Sequence, residues 1–467
     1  MSDHFDVAVI GAGPAGEKAA IKAAYFGKRV AIVERAARFG GACGAGGLAS
    51  KIFRESALVY RGAARRLSDV LQPVPQQRME MANLLRAVDR VCDAHYLDVK
   101  NTLERHGVEW VRGHARFLDP NRLDVDGRQI TAATIIIATG SRPSQPSFVP
   151  WGAPGVFHAD TILGMPTIPK CLAVIGGGVI GSEFASVFAA LDVDVHVIEM
   201  RPKLLSFLDD DVGEHLLSEL RARGTHMHLG RQVVGLETER PGQVRVKIDD
   251  GDTIEAEAVL FAGGRLANTD DLGLERIGVE LGRQGRPVVD AAFRTNVPNV
   301  YAVGDVIGFP ALASTSMEQG RVAIGHALRE EIRTRPDALP FDDSIPYPLL
   351  PYGLYTIPSV AYVGKTEAQL RAESIEYVAG VASFSRNPRG HLIGDTSGRL
   401  KLLADPKTKR ILGVHIVGET AEELIHIGQA CMHFEGTIHY FLRTVFNFPT
   451  LASLYKSASY EILQKLR

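Results

Sequence analysis

Short, almost wholly apolar runs recur along the chain, separated by stretches whose apolar positions follow helical spacing. Val7-Ala8-Val9-Ile10 is the first, and Val30-Ala31-Ile32-Val33, Ile135-Ile136-Ile137, Leu172-Ala173-Val174-Ile175, Val195-His196-Val197-Ile198 and Ala258-Val259-Leu260-Phe261 follow. Runs of this length bounded by glycine predict buried strands. Alanine-rich helical patterns lie after Gly16 and from Ser182 to Leu191, and another helix is predicted from Ser316 to Arg329. Beyond the proline-rich passage Pro340 to Pro351 the pattern mixes strand, as in Ile411 to Val417, with helix, as in Ala421 to His433.

Two of these stretches are built alike. Val7 to Ile10 runs into Gly11-Ala12-Gly13-Pro14-Ala15-Gly16 and, after a helix, reaches Val30 to Glu34; Leu172 to Ile175 runs into Gly176-Gly177-Gly178-Val179-Ile180-Gly181 and reaches Val195 to Glu199. In both, the closing glutamate follows the first glycine by 23 positions. Strand, glycine turn, helix, strand and acid is the order of a dinucleotide-binding crossover. The first glycine permits the turn, the second lets a pyrophosphate approach the backbone, and the third lets helix pack on strand. The phosphate rests on the helix N-terminus and the acid accepts from the ribose hydroxyls. One such motif is weak; two with equal spacing and flanking strands predict two bound dinucleotides.

Composition narrows the classes without adding chemistry. A chain of 467 residues accommodates about three domains. With 52 basic and 54 acidic side chains it carries no electrostatic footprint for nucleic acid. The four cysteines, Cys43, Cys92, Cys171 and Cys431, show neither metal-ligand nor disulfide-framework spacing, which fits a reducing cytoplasm. No signal peptide or membrane span is expected. His426, His433 and His439, and likewise His196 and His415, read as ordinary helix, interface and strand residues, and no metal site is expected.

In this order, the motifs resemble the pyridine nucleotide-disulfide oxidoreductases, the family of dihydrolipoamide dehydrogenase and glutathione reductase, over nearly the whole chain. The resemblance implies an α/β fold: two Rossmann-like dinucleotide-binding domains plus a C-terminal α+β dimerisation domain. FAD would occupy 1–148 and 272–340, NAD(P) would occupy 149–271, and 341–467 would form a homodimer interface. It implies that Gly11, Gly13, Gly16, Glu34, Gly140 and Asp305 serve FAD, and that Gly176, Gly178, Gly181, Glu199, Arg201 and Arg265 complete the cofactor-binding set with NAD(H). Lys51 and Glu183 match the family's catalytic ion pair beside the isoalloxazine, where a cation stabilises negative charge on the reduced ring.

The stretch from Gly40 to Lys51 resembles the family's redox loop with one cysteine missing. Counting forward from Cys43 puts Leu48 at the second-cysteine position, and counting back from Lys51 puts Gly47 there. Disulfide exchange needs two sulfurs within bonding reach. Phe448 and Ser453 stand where the family carries its histidine and glutamate, and neither shuttles a proton. These departures, with Gly304 to Ser314, Gly353 to Pro358, Leu424 to Ala430 and Val445 to Thr450, resemble the soluble FAD-dependent pyridine nucleotide transhydrogenase branch. There hydride moves directly between nicotinamide and flavin, and no thiol is required.

Glu199 favours the free ribose of NAD(H). A 2′-phosphate about 4 Å from it would cost on the order of 4 kcal/mol per like-charge pair at an effective dielectric near 20. Arg201, with Lys203 as the weaker candidate, could offset this and admit NADP(H). Two alternatives stand beside hydride exchange. One is an NADH-dependent flavin dehydrogenase reducing a quinone, dye, oxygen or protein acceptor, and the other a flavin-loaded binding protein without turnover.

Overall fold

A computed structural model describes residues 3–70, 80–240, 242–334 and 344–467, and the boundary expected at 340/341 lies outside the described residues. The described residues form two compact units. The first draws on Met1–Ile52, Ala82–Ser144 and Gly264–Ile345, the second on Phe53–Met81, Gln145–Gly263 and Pro346–Arg467.

In the first unit the strand Asp3–Ile10 pairs in parallel with Val30–Glu34 on one side and Arg128–Ile137 on the other. Glu109–Arg112 extends one edge, while Arg122–Val125 and Ala115–Asp119 continue the other antiparallel; Val300–Ala302 pairs in parallel with the last residues of Arg128–Ile137. The apolar runs occupy the centre because both faces of those strands are covered: Val7, Ala8, Val9, Ile135, Ile136 and Ile137 have no solvent exposure. The helices Pro14–Tyr25 and Ala313–Ala327 pack closely because Gly320 has no side chain: a Cβ there would sit 2.3 Å from the Ala15 carbonyl oxygen. The helix predicted from Ser316 begins three residues earlier and gives way at Leu328 to a short second helix, Arg329–Arg333.

The second unit contains three sheets. His226–Leu229, Asp194–Glu199, Cys171–Ile175, Ala258–Phe261 and Val156–His158 form a parallel sheet in that order. An antiparallel meander, Val233–Arg240, Gln243–Ile248 and Thr253–Ala256, shares a core with one of its faces through Ala173, Ile175, Ile198, Val244 and Val246. The C-terminal sheet is antiparallel, ordered Tyr352–Leu354, Val360–Gly364, Ile411–Val417, Arg399–Ala404 and Val378–Ser383. The helices Ala421–His433 and Leu454–Lys465 contribute Ile425, Tyr455 and Ile462 to its core. Among the described residues no helix is long and apolar enough to cross a membrane.

Within this unit the nucleotide-type sheet and the C-terminal sheet share one core, in which Leu204, Leu205, Leu208 and Val212 meet Leu354, Val360 and Val417. At its edge Lys401, 2% exposed, forms ion pairs with Asp209 at 2.7 Å, Glu367 at 3.0 Å and Asp211. Burial alone would lower the Lys401 pKa, but the carboxylates of Asp209 and Asp211 outweigh it and hold the ammonium form. His415 lies 3.8 Å from Asp209 and contacts the Lys365 carbonyl at 3.0 Å; burial keeps its ring below the usual histidine range.

Removing one partner of such a pair leaves a buried, uncompensated charge. Lys401→Met is therefore expected to cost about 3–5 kcal/mol of stability in urea unfolding. A midpoint and slope equal to those of the parent would show that the cluster does not hold this unit together.

Candidate functional site

Each glycine loop is shaped by the same three contacts. Gly11 has φ +103°, and a Cβ there would lie 2.4 Å from the Ala138 carbonyl oxygen; Gly176 has φ +106°, with Ala262 oxygen at 2.7 Å. The third glycines let the helix cross its own turn, since a Cβ on Gly16 would meet Gly11 oxygen at 1.9 Å and one on Gly181 would meet Gly176 oxygen at 1.8 Å. The second glycines face space: nothing lies within 4 Å of a Cβ on Gly178, and only the Gly41 Cα, at 4.0 Å, near one on Gly13. Gly13 and Gly178 precede the helices Pro14–Tyr25 and Val179–Ala190, and no side chain caps either N-terminus. The amide groups needed for a pyrophosphate are thus presented without a competing side chain.

The closing glutamates are fixed identically. Glu34 accepts the Ala12 N–H at 2.8 Å on one oxygen and the Ala36 N–H at 2.8 Å on the other. Glu199 accepts from Gly177 N–H at 2.7 Å and Arg201 N–H at 3.0 Å. The Arg201 Nε lies 3.4 Å from Glu199, and the rest of that side chain is 64% exposed. Lys203 instead pairs with Asp210 at 2.9 Å.

Beside the first loop lies a cavity of about 240 Å³ lined by Ile10, Gly11, Glu34, Gly113, Thr139 and Asp270, among others. Gly140, at φ +69°, follows Thr139, whose hydroxyl donates to the Asn268 carbonyl at 2.7 Å. Asp305 accepts from the Ser141 hydroxyl at 3.0 Å, and Arg265 donates to that hydroxyl at 2.8 Å and to the Ser141 carbonyl at 2.8 Å. Arg265, Ser141 and Asp305 therefore form one chain of contacts within the first unit. The glycine cradle, the fixed acid and this cavity fit the adenosine and pyrophosphate parts of a dinucleotide such as FAD. Ser141, Asn268 and Gln319, which accepts the Gly304 N–H at 2.7 Å, carried no sequence signal beyond their nearness to glycine turns.

Lys51, half-buried, belongs to the first unit, and Glu183, buried, to the second. The Glu183 carboxylate accepts the Tyr355 N–H at 2.9 Å. Gly40 and Gly41, at φ +103° and +54°, open the intervening loop, and a turn of π-helix, Cys43–Gly47, leads into the helix Leu48–Val70. A Cβ on Gly47 would stand 3.9 Å from the Cys43 sulfur, in ordinary van der Waals contact with that thiol. Burial raises the Cys43 pKa, the Lys51 charge opposing it, so the sulfur stays protonated. One cysteine does approach this loop from afar, as spacing alone did not show: the Cys92 thiol donates to the Gly44 carbonyl at 3.2 Å. Both thiols are free. Phe448 is 75% exposed, and Ser453 accepts from Asn387 at 2.9 Å and donates to the Thr450 carbonyl at 2.9 Å; neither offers a titrating group.

Comparison with known proteins places these features. The pyridine nucleotide-disulphide oxidoreductase family model matches residues 5–320, and the dimerisation-domain model of the same family matches residues 350–459. The chain is 41% identical to a soluble pyridine nucleotide transhydrogenase of Mycobacterium bovis, covering 99% of this chain and 98% of that one. It is 40% identical to one of Chromohalobacter salexigens, with 99% of each covered. Among solved structures, LpdA of Mycobacterium tuberculosis superposes with a TM-score of 0.87 at 26% identity, covering 98% of this chain and 99% of that one. The HOCl-induced flavoprotein disulfide reductase RclA of Escherichia coli superposes at 0.85 with 25% identity and the same coverage.

A thiol held protonated is a poor nucleophile. Alkylation by iodoacetamide at neutral pH, followed by peptide mapping, is expected to modify Cys43 more slowly than a free thiol in the same solution. The rate should climb only as pH rises above the ordinary thiol range; rapid labelling at neutral pH would contradict the burial effect.

Proposed function

Because this chain belongs to the pyridine nucleotide-disulphide oxidoreductase family, we propose that it is a soluble, FAD-dependent pyridine nucleotide transhydrogenase, exchanging hydride between NAD(P)H and NAD(P)+ without a redox disulfide. The observation that carries this reading is the combination of two complete dinucleotide cradles with a loop in which Cys43 has Gly47 beside it and is not joined in a disulfide. The names of the curated relatives support it.

Bound FAD supplies a two-electron hydride acceptor and donor. Gly11, Gly13, Gly16, Glu34, Gly140 and Asp305 hold it, and Arg265 orients Asp305 through Ser141. Gly176, Gly178 and Gly181 receive the nicotinamide nucleotide. Glu199, its carboxylate already directed by two backbone amides, accepts from the ribose hydroxyls of NAD(H). Arg201, close to that carboxylate and otherwise solvent-facing, takes the 2′-phosphate of NADP(H) and offsets the charge of Glu199, so that both nucleotides use one site in turn. Lys51 would stabilise negative charge developing at a bound flavin, and Glu183 is the second residue proposed as catalytic. We assign FAD to 1–148 and 272–340, the nicotinamide nucleotide to 149–271 and a homodimer interface to 341–467, in a cytoplasmic enzyme. The Glu199 geometry also suits the second reading, an NADH-dependent dehydrogenase with a separate electron acceptor.

Anaerobic addition of NADPH to the FAD-loaded protein is expected to bleach the flavin absorbance, and NAD+ to restore it. Bleaching by NADH alone would replace hydride exchange with the dehydrogenase reading. In the same assay Arg201→Ala is expected to raise KM for NADPH about tenfold relative to NADH, a loss of about 1.4 kcal/mol. Stopped-flow flavin reduction in Lys51→Met is expected to slow by about 10²-fold with flavin content unchanged.

A further inference from the structure

On one face of the parallel sheet of the second unit a set of side chains gathers, from Cys171 and Asp194 at the strand starts to His228, in register with Ile198. Asp194 is in register with Cys171, and His196 with His226, while His228 lies two residues beyond His226 on the same strand. Three adjacent strands therefore project Cys171, Asp194, His196, His226 and His228 from one face. The ligand atoms of Cys171, Asp194 and His196 all lie within 4.8 Å of one another. His196 Nε2 is 3.7 Å from Asp194, and its Nδ1 is 3.1 Å from His228 Nε2. His226 stacks on His196 with ring centroids 4.5 Å apart and reaches the other Asp194 oxygen at 3.2 Å.

We propose that Cys171, Asp194 and His196 form a binding site for a divalent late transition-metal ion of the zinc type. Thiolate, carboxylate and imidazole from three residues leave one position of a tetrahedron for water, and S, N and O donors suit a borderline-soft ion. Donors around such an ion stand about 3.5 Å apart, so small side-chain rotations complete the set. The outer contacts are also in place. With His196 Nδ1–H donated to His228, the Nε2 lone pair is left for the ion, and His226 holds the carboxylate from its far side. Asp194 is exposed to solvent, and Cys171 also borders an open cleft of about 320 Å³ with Arg240, Gln243, Glu255 and Glu257. On ligation the Cys171 S–H proton passes to solvent as the metal–sulfur bond forms.

The second carboxylate cluster of this unit differs in kind. Asp209, Asp211 and Glu367 also come within ligating reach of one another, but the Lys401 ammonium already contacts all three.

The test uses the FAD-loaded, full-length protein after EDTA treatment and dialysis, titrated with Zn2+ and, separately, Co2+. One ion per chain is expected. Affinity should fall at least tenfold in Cys171→Ser, His196→Ala and the exposed-site variant Asp194→Asn, and about 10- to 100-fold in His228→Gln, which touches the ion only through His196. Co2+ should give visible bands beyond the flavin absorbance, with a thiolate charge-transfer band that is lost in Cys171→Ser and kept in Cys43→Ser. Absence of Zn2+ binding overturns the site, as does binding that survives all of these substitutions or that follows Cys43 instead. Unchanged flavin content in Asp194→Asn separates loss of the site from loss of the fold.

Discussion

Two carboxylates, each held by a pair of backbone amides, set the geometry on which both nucleotide sites depend. Glu34 ties Ala12 in the first glycine loop to Ala36 just past its own strand, and Glu199 does the same between Gly177 and Arg201. Hydrogen bonds from N–H to an ionised acceptor are among the stronger ones a protein makes. Each clamp therefore fixes the loop, the strand end and the direction of the acid together. The glycines are a consequence of that closeness: carbonyl oxygens occupy the space where side chains at Gly11, Gly16, Gly176 and Gly181 would go. A loop already in its binding shape spends less of a ligand's interaction energy on ordering the protein.

Against this doubly intact frame, the altered loop from Gly40 to Lys51 is a local change. There a π-helical turn, Cys43–Gly47, continues directly into the helix Leu48–Val70. Cys43 is half-buried, and its desolvation raises the thiol pKa rather than activating it. The C-terminal departures agree: Ser453 is spent on local hydrogen bonds and Phe448 faces solvent.

Much of this was legible in the sequence because it is local. A strand, a glycine turn and an acid at a fixed offset lie within one crossover, so Gly11 to Glu34 and Gly176 to Glu199 could be assigned by spacing. The strands Val30–Glu34 and Ile411–Val417 and the helix Ala421–His433 have the bounds their patterns suggested. Contacts set by sheet register were invisible. Arg265 meets Ser141 across 124 positions, Cys92 reaches Gly44 across 48, and Cys171, Asp194 and His226 come together only because three strands align. His196 looked like an ordinary strand residue because no local motif carries its neighbours. The partners of the two cations were equally invisible: Asp210 engages Lys203, and Arg201 lies beside Glu199.

The segment from Glu199 to Asp209 is fastened at both ends, by the carboxylate clamp where it begins and by Lys401 where it ends, with Leu204, Leu205 and Leu208 sunk between them into a core shared with the C-terminal sheet. The nucleotide-recognising module is consequently not a transferable cassette. A chimera that imports residues 149–271 from a relative would carry half of a hydrophobic interface and two of the three acids that meet Lys401, leaving Glu367 behind, so exchange of cofactor preference within this architecture has to proceed by single surface residues or by moving both halves together.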